Sequence, residues 1–376
     1  MKILFTGGGT GGHFYPIIAV AEEINRIAKE EKLLPPELFF VSPTPYDQRA
    51  LFDNNIVYRY APAGKIRRYF SILNFFDFFK TAFGVIKAFV TVFLIFPDVV
   101  FAKGGYASFP TLFAARVLRI PVVIHESDTS PGLVSAWAGK FATRVAVSYE
   151  EAAKYFPKDK VAWTGNPIRH DIRTPVTEGA RKFLNLEESA PVILILGGSQ
   201  GAQVINDAVL DALPKLVEKY QIVHQTGERH YELMSQTAKV VLEKNQNQSR
   251  YHSYPYLNTL SLRMAAGVTD LVITRAGSTL FEVAIWGTPA IVIPIPKDVS
   301  HDQVGNAYAY ARAGAGIVME EKNIASSILA FEIDRLMGNA GVLTSMKVAA
   351  KKLALPDAAE KIARAVLSIA LSHETE

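Results

Sequence analysis

Cysteine is absent from the 376 residues, which excludes a disulfide scaffold and a thiolate acting as metal ligand or nucleophile. Long uncharged apolar runs are also lacking. In the phenylalanine-dense stretch from Arg67 to Val100 the longest runs from Ala88 to Pro97, short of the roughly 20 residues that a spanning helix needs. After Met1 and Lys2 the apolar run is only Ile3 to Phe5 before glycines begin. That is too short for the roughly 7 to 15 residues of a signal-peptide core, so the expectation is a protein that stays in the cytoplasm. No G-x-x-x-x-G-K-[ST] motif occurs, which disfavours a Walker-type nucleotidase. No D-x-D pair occurs either, so no metal bridged by that motif, and no other cofactor, is expected. Low-complexity segments and repeats with a period of roughly 20 to 50 residues are missing too.

What is present points to two α/β domains. The length exceeds the roughly 250 to 300 residues at which single cores stop growing, and 49% hydrophobic residues can fill two. Net charge is +4, too small to argue for nucleic acid. Its location is more telling. Between Pro62 and Lys103 stand Lys65, Arg67, Arg68, Lys80, Lys87 and Lys103 against only Asp77 and Asp98, which accounts for the whole excess.

A strand running into glycines, "KILFTGGGTGGH" (residues 2–13), is repeated as "PVILILGGSQGA" (residues 191–202). Apolar positions at helical spacing follow both: Ile17, Val20, Ala21, Ile24, Ile27 and Ala28 after the first, Val204, Ile205, Val209, Leu213, Leu216 and Val217 after the second. Each loop therefore opens a helix whose N-terminal N–H groups can face an anion. Short runs apolar on both faces predict buried parallel strands at 38–42, 98–102, 121–125, 144–148 and 160–164, then at 192–196, 221–225, 270–274 and 290–294. The fold expected is two doubly wound Rossmann-like domains, 1–166 and 167–345, with the break near Pro167 and Pro175. From about Met346 to residue 376 the pattern is helical, interrupted at Pro356, with an apolar stripe able to pack back on either domain. The glycines around Ala313 to Gly316 read only as a turn.

Gly7, Gly9 and Gly12 satisfy the G-x-G-x-x-G pattern. The dinucleotide fingerprint also requires an acidic residue closing the second strand, and Ser42 and Pro43 stand there, so an NAD-linked oxidoreductase is disfavoured. The segment 270–307 carries the strongest signal. A strand meets Arg275, Ala276, Gly277, Ser278 and Thr279, and the helix then beginning through Leu280 would turn its N–H groups to a diphosphate. Glu282, one turn in, can accept from ribose hydroxyls. The polar loop with His301, Asp302, Gln303 and Asn306 suits a sugar.

For Arg67 to Val100 two readings stand. One is a buried helix feeding the next strand. The other is a monotopic surface in which Phe75, Phe76 and Phe79 enter an anionic membrane interface beside Lys65, Arg67 and Arg68. The second predicts reversible binding to anionic vesicles.

The ordered motifs "GGGTGGH", "GGY" (104–106), "HESDTSPG", "GNPIR", "GGSQGA" and "RAGSTLFE" with "HDQVGNA" resemble the MurG family, the peripheral membrane N-acetylglucosaminyltransferases of peptidoglycan assembly within glycosyltransferase family 28. The resemblance spans nearly the whole chain. It implies a GT-B fold with two domains facing across a cleft, UDP-N-acetylglucosamine (UDP-GlcNAc) as donor, and undecaprenyl-diphosphate-linked N-acetylmuramoyl-pentapeptide (lipid I) as acceptor. The product would be lipid II, formed by inverting transfer at the cytoplasmic face of the cell membrane, with other cell-wall synthesis proteins as candidate partners and no nucleic acid. By the same resemblance Thr10, Gly11 and Gly12 approach the donor sugar or acceptor diphosphate, and Ser199 and Arg169 contact the nucleotide-sugar. Glu282 binds ribose, Gln303 reads the sugar, Leu257 lies beside uracil, and Ser278, Thr279 and Leu280 complete the donor site.

His13 is the candidate general base, since it ends the glycine loop and its imidazole titrates near neutral pH. The alternative is that it only positions the acceptor diphosphate or caps the helix. Asp128 stands where some family members place asparagine. A carboxylate there accepts but does not donate at neutral pH, so Asp128 is a sugar contact or an alternative base. Two competing functions share these features: a diacylglycerol glycosyltransferase of the same superfamily, and a nucleotide-sugar-binding subunit without catalysis.

Overall fold

The computed structural model describes residues 1–65, 73–198, 201–297 and 302–372; Arg67, Arg68, Ser199 and His301 lie outside them. The chain forms two compact units, Met1–His170 with Leu355–Glu376, and Asp171–Ala354.

In the first unit seven strands, β1 (Lys2–Thr6), β2 (Glu37–Ser42), β3 (Ile56–Tyr60), β4 (Val99–Ala102), β5 (Val122–Glu126), β6 (Arg144–Val147) and β7 (Val161–Trp163), pair in parallel in the order β3-β2-β1-β4-β5-β6-β7. Alternate residues of one strand serve two cores, as the pleat requires. Ile3 and Phe5 pack with Phe14, Ile17 and Ile24 of the helix Gly11–Glu30 and with Ile362, Val366 and Ala370 of the helix Ala358–Ser372. Leu4 instead packs with Val92 of the helix Leu73–Ile95 and Leu112 of the helix Phe109–Val117. Helices thus cover both faces of the sheet, which is why the central strands are apolar throughout.

The second unit repeats the plan with β8 (Val192–Leu196), β9 (Gln221–Gln225), β10 (Tyr251–Tyr254), β11 (Leu271–Thr274), β12 (Ala290–Val292) and β13 (Gly316–Val318), parallel in the order β10-β9-β8-β11-β12-β13. Ile193 and Ile195 pack under the helices Gln203–Leu216 and Ser326–Met337. In both sheets the strand order reverses beside the first strand, between β1 and β4 and between β8 and β11. Crevices at such switch points, at the carboxyl ends of the strands, are where open α/β sheets bind ligands.

The ten predicted strands all form. The structure adds β3, β10 and β13, each at a sheet edge. The segment 316–318, read from sequence as turn, is therefore a strand. The tail helix begins at Ala340, earlier than Met346, and the stretch between Leu353 and Ala358 that breaks it holds Pro356. The helix Ala340–Leu353 belongs to the second unit and the helix Ala358–Ser372 to the first.

Candidate functional site

In the first unit the loop after β1 needs glycine for two reasons. Gly8 has φ +130°, and a Cβ there would stand 2.6 Å from Ser42 Oγ. Thr10 then takes the N-cap position in an extended conformation, and Gly11, Gly12 and His13 form the first turn, where N–H groups have no intrahelical acceptor of the usual kind. Pro16 lies inside this helix and lacks an N–H, so the Gly12 carbonyl loses its usual i+4 donor.

His13 is half-buried. Its Nδ1 lies 2.9 Å from Thr10 Oγ1, and its Nε2 approaches Gly105, where a Cβ would come within 3.4 Å. Gly105, with φ +76°, follows β4 and leaves room for the ring. Loss of hydration, reinforced by the nearby Lys103 ammonium, lowers the His13 pKa to about 4. The expectation that His13 titrates near neutral pH is thus corrected: at pH 7 the ring is neutral and has one nitrogen lone pair to offer.

Behind it lies a charged cluster that sequence reasoning left unassigned. Lys103 is buried to 2% exposure, and its Nζ donates to Ser127 Oγ at 2.5 Å. Glu126 is buried at the end of β5; its Oε1 accepts from Asp128 N at 3.1 Å and its Oε2 from Gly132 N at 3.2 Å. Burial, and then the Asp128 charge, push the Glu126 carboxyl up. Burial pulls the Lys103 ammonium down against the opposing pull of Glu126 and Asp128. Asp128 itself is half-buried on the turn that these bonds shape. His125 is fully buried, with Nε2 3.0 Å from the Gly165 carbonyl, and desolvation keeps it neutral. Arg169 stacks its guanidinium over the Tyr15 ring, 4.2 Å from the centroid, two residues along the helix from His13.

In the second unit Gly197 and Gly198 follow β8. After β11 the helix Thr279–Trp286 starts behind Ser278, whose hydroxyl makes no capping bond. Thr279 and Glu282 are half-buried on its first turn. The Leu280 side chain is fully buried and its N–H goes to Gly277 O at 3.1 Å. Leu257 is buried too, with its N–H donated to Gln225 Oε1 at 3.0 Å. Gln303 Oε1 accepts from Ile295 N at 3.1 Å, and Asn306 Nδ2 donates to Ala276 O at 3.1 Å, which ties the helix Gln303–Arg312 to the loop after β11. Arg275 is occupied structurally, bonded to the Ile293 carbonyl and ion-paired with Glu321. Among the described residues no group of three or more His, Cys, Asp or Glu could hold a metal ion.

The helix Leu73–Ile95 presents the opposite of a core. Phe75, Phe76, Phe78, Phe79 and Phe83 are 56% to 69% exposed, and Ile86, Phe93 and Leu94 are exposed beyond them. Among the described side chains of residues 75–95 only a narrow stripe with Gly84, Ala88, Val92 and Ile95 is buried. The buried-helix reading therefore fails for most of these side chains. The shortfall expected from sequence is also corrected, since Phe75–Ile95 is long and apolar enough by composition to cross a membrane.

Two Rossmann-like sheets, each with a glycine loop at its switch point, define the GT-B class of α/β proteins. The chain belongs to glycosyltransferase family 28: residues 3–147 match its N-terminal domain and residues 192–362 its C-terminal domain. It is 36% identical over 341 residues to "UDP-N-acetylglucosamine--N-acetylmuramyl-(pentapeptide) pyrophosphoryl-undecaprenol N-acetylglucosamine transferase 3" of Bacillus thuringiensis (strain Al Hakam), covering 90% of this chain and 92% of the relative. A transferase of the same name without the number, from Treponema denticola, is 36% identical over 342 residues, 87% of this chain and 85% of the relative. Among solved structures, Acinetobacter baumannii MurG superposes with a TM-score of 0.71 at 25% identity, covering 98% of this chain and 99% of that one.

Proposed function

We propose that this protein transfers N-acetylglucosamine from UDP-GlcNAc to the C4 hydroxyl of lipid I, giving lipid II. The observation that carries the reading is 36% identity to transferases of that name over 90% of the chain. The second unit holds the donor: the N–H groups at the start of the helix Thr279–Trp286 face the diphosphate, with Ser278 and Ser199 beside it. Glu282 takes the ribose and Gln303 the sugar. Leu257 acts through its backbone and Leu280 through its place in the helix terminus, since both side chains are buried. The first unit holds the acceptor, with Thr10, Gly11 and Gly12 at its diphosphate. Arg169 serves the phosphates of the nucleotide-sugar.

In the step itself the acceptor O4 forms a bond to the anomeric carbon as the bond from that carbon to the phosphate oxygen breaks. The electron pair leaves on UDP, and the O4 proton passes to His13 or Asp128. A neutral His13 serves as base only if its Nδ1 carries the hydrogen, donated to Thr10 Oγ1, which leaves Nε2 free to accept. Helix N-terminal N–H groups stabilise the charge gathering on UDP.

The exposed phenylalanine face of the helix Leu73–Ile95 sits flat against the membrane that carries the acceptor, with Lys65, Lys80 and Lys87 supplying positive charge that anionic headgroups attract. Its buried stripe packs on the helix Phe109–Val117, which favours lying on the interface over spanning it. Calorimetric titration with UDP-GlcNAc and with UDP-glucose tests the donor: binding of the first should be at least tenfold tighter, and equal affinities would contradict the assignment.

A further inference from the structure

We propose that Lys103 is a positioning residue of the acceptor site, its buried ammonium anchoring the Glu126–Ser127–Asp128 turn and standing as the positive charge against which Asp128 and His13 are set. The proposal rests on the acceptor role given above to the first unit.

Lysine is almost never fully buried without a partner, because taking an ammonium out of water costs several kcal/mol after relaxation. Here the burial is enforced from the backbone outward. Lys103 N donates to Thr6 O at 3.0 Å, and its Cβ packs beneath the glycine loop, 3.1 Å from where a Cβ at Gly7 would be. The side chain then runs under the crevice to Ser127 Oγ. Packing alone would be met by an apolar residue. The second sheet offers a comparison at the equivalent position, where Arg275 follows β11. Its guanidinium is consumed by a carbonyl and by Glu321, a pair whose purpose is structural. Lys103 instead contacts a neutral hydroxyl, and its charge is felt by Glu126, by His13 and by the neutral His125.

Consequences follow for Glu126 and for His13. Burial, and then the neighbouring Asp128 charge, push the Glu126 carboxyl up to about 7, and the Lys103 ammonium opposes this. With Lys103 present the His13 ring stays neutral and can accept. Removing the charge takes away the ammonium that, after burial, lowers the His13 ring, and its affinity for a proton rises.

The test uses the full chain and the variant Lys103→Met. The His13 ring is titrated by NMR without substrate, its signal identified by its loss in His13→Gln. Transfer is then measured against pH. In the wild type His13 should titrate at about 4. In Lys103→Met the midpoint should rise, by up to about one pH unit since burial is the larger cause of the shift, the acid limb of kcat/KM for the acceptor should move with it, and the KM for the donor should stay within about twofold. A folded variant in which neither moves overturns the proposal. Should Lys103→Met not fold, Ser127→Ala keeps the charge and removes its anchor. It should lower kcat/KM for the acceptor about tenfold with the donor KM unchanged, and an unchanged acceptor value overturns the proposal equally. Absence of transfer by the wild type, with the His13 midpoint still moving in Lys103→Met, would reject the proposed function while leaving the coupling of Lys103 to His13 in place.

Discussion

Thr10 Oγ1 lies 2.9 Å from His13 Nδ1, three residues apart on the first turn after the glycine loop. The direction of this contact sets which ring nitrogen keeps the lone pair. When Nδ1–H donates to the threonine, Nε2 is the acceptor. If His13 is the base, Thr10→Val removes the acceptor for Nδ1–H and should lower kcat about tenfold, with the donor KM unchanged. His13→Ala removes the base altogether and should cost roughly 10²- to 10⁴-fold in kcat. Steady-state kinetics on both substrates reads the difference, and unchanged turnover in His13→Ala rules out the base role.

Acid should destabilise the fold. His13 and the fully buried His224 have folded-state pKa values of about 4 and about 3, below the ordinary 6.5, chiefly from desolvation, and His125 is lowered as well. The unfolded chain therefore binds more protons than the folded one as pH falls below 6.5, and stability drops from there down to the folded values. His224 is held by Asn206 Oδ1 at 3.0 Å and the Tyr251 hydroxyl at 3.1 Å, so protonation also breaks a buried network. The raised Glu126 carboxyl, which gains its proton in the folded state near pH 7, opposes this, so urea midpoints should be nearly level from pH 7.5 to 6.5 and fall from there to 4.5, where the three histidines outweigh it, and His224→Gln should flatten part of the slope. A midpoint independent of pH over this range contradicts the assignment.

Gln225 Oε1 ties down Leu257 N and so fixes the loop proposed to read the base of the donor. One buried hydrogen bond is worth about 1 kcal/mol. Gln225→Leu should therefore raise the donor KM roughly fivefold and leave kcat for saturated enzyme nearly unchanged. An equal loss in the acceptor KM would place the effect elsewhere.

Replacing Phe75, Phe76, Phe79 and Phe83 together by serine deletes exposed apolar surface and disturbs little of the core. Co-sedimentation with phosphatidylglycerol vesicles should be lost, while UDP-GlcNAc binding and thermal midpoint are retained. Background sedimentation by the wild type at low salt would reject the membrane surface.

These consequences trace back unevenly to the sequence. The ten strands that read clearly are apolar runs, most of them buried on both faces. β3, with Val57, Arg59 and Tyr60 exposed, shows why an edge is harder: much of the strand meets water, so the apolar run is short and interrupted by Arg59. β13 is three residues long and begins at glycine, a pattern shared with turns. The phenylalanines of the helix Leu73–Ile95 were ambiguous because composition reports hydrophobicity and not which side faces the protein. Glycine loops and His13 were visible as motifs. Lys103 was visible only as charge, although a lysine placed directly after the apolar run "VVFA" and before two glycines marks the mouth of a switch-point strand. The depressed pKa of His13 depends first on burial and then on Lys103, a neighbour 90 residues away, and no local pattern encodes either.

The most direct measurement is transfer of labelled N-acetylglucosamine from UDP-GlcNAc by the purified chain to a short-chain lipid I analogue, with diacylglycerol offered in parallel. The account predicts label in the muramoyl lipid alone. Label in diacylglycerol, or in neither acceptor, would contradict it.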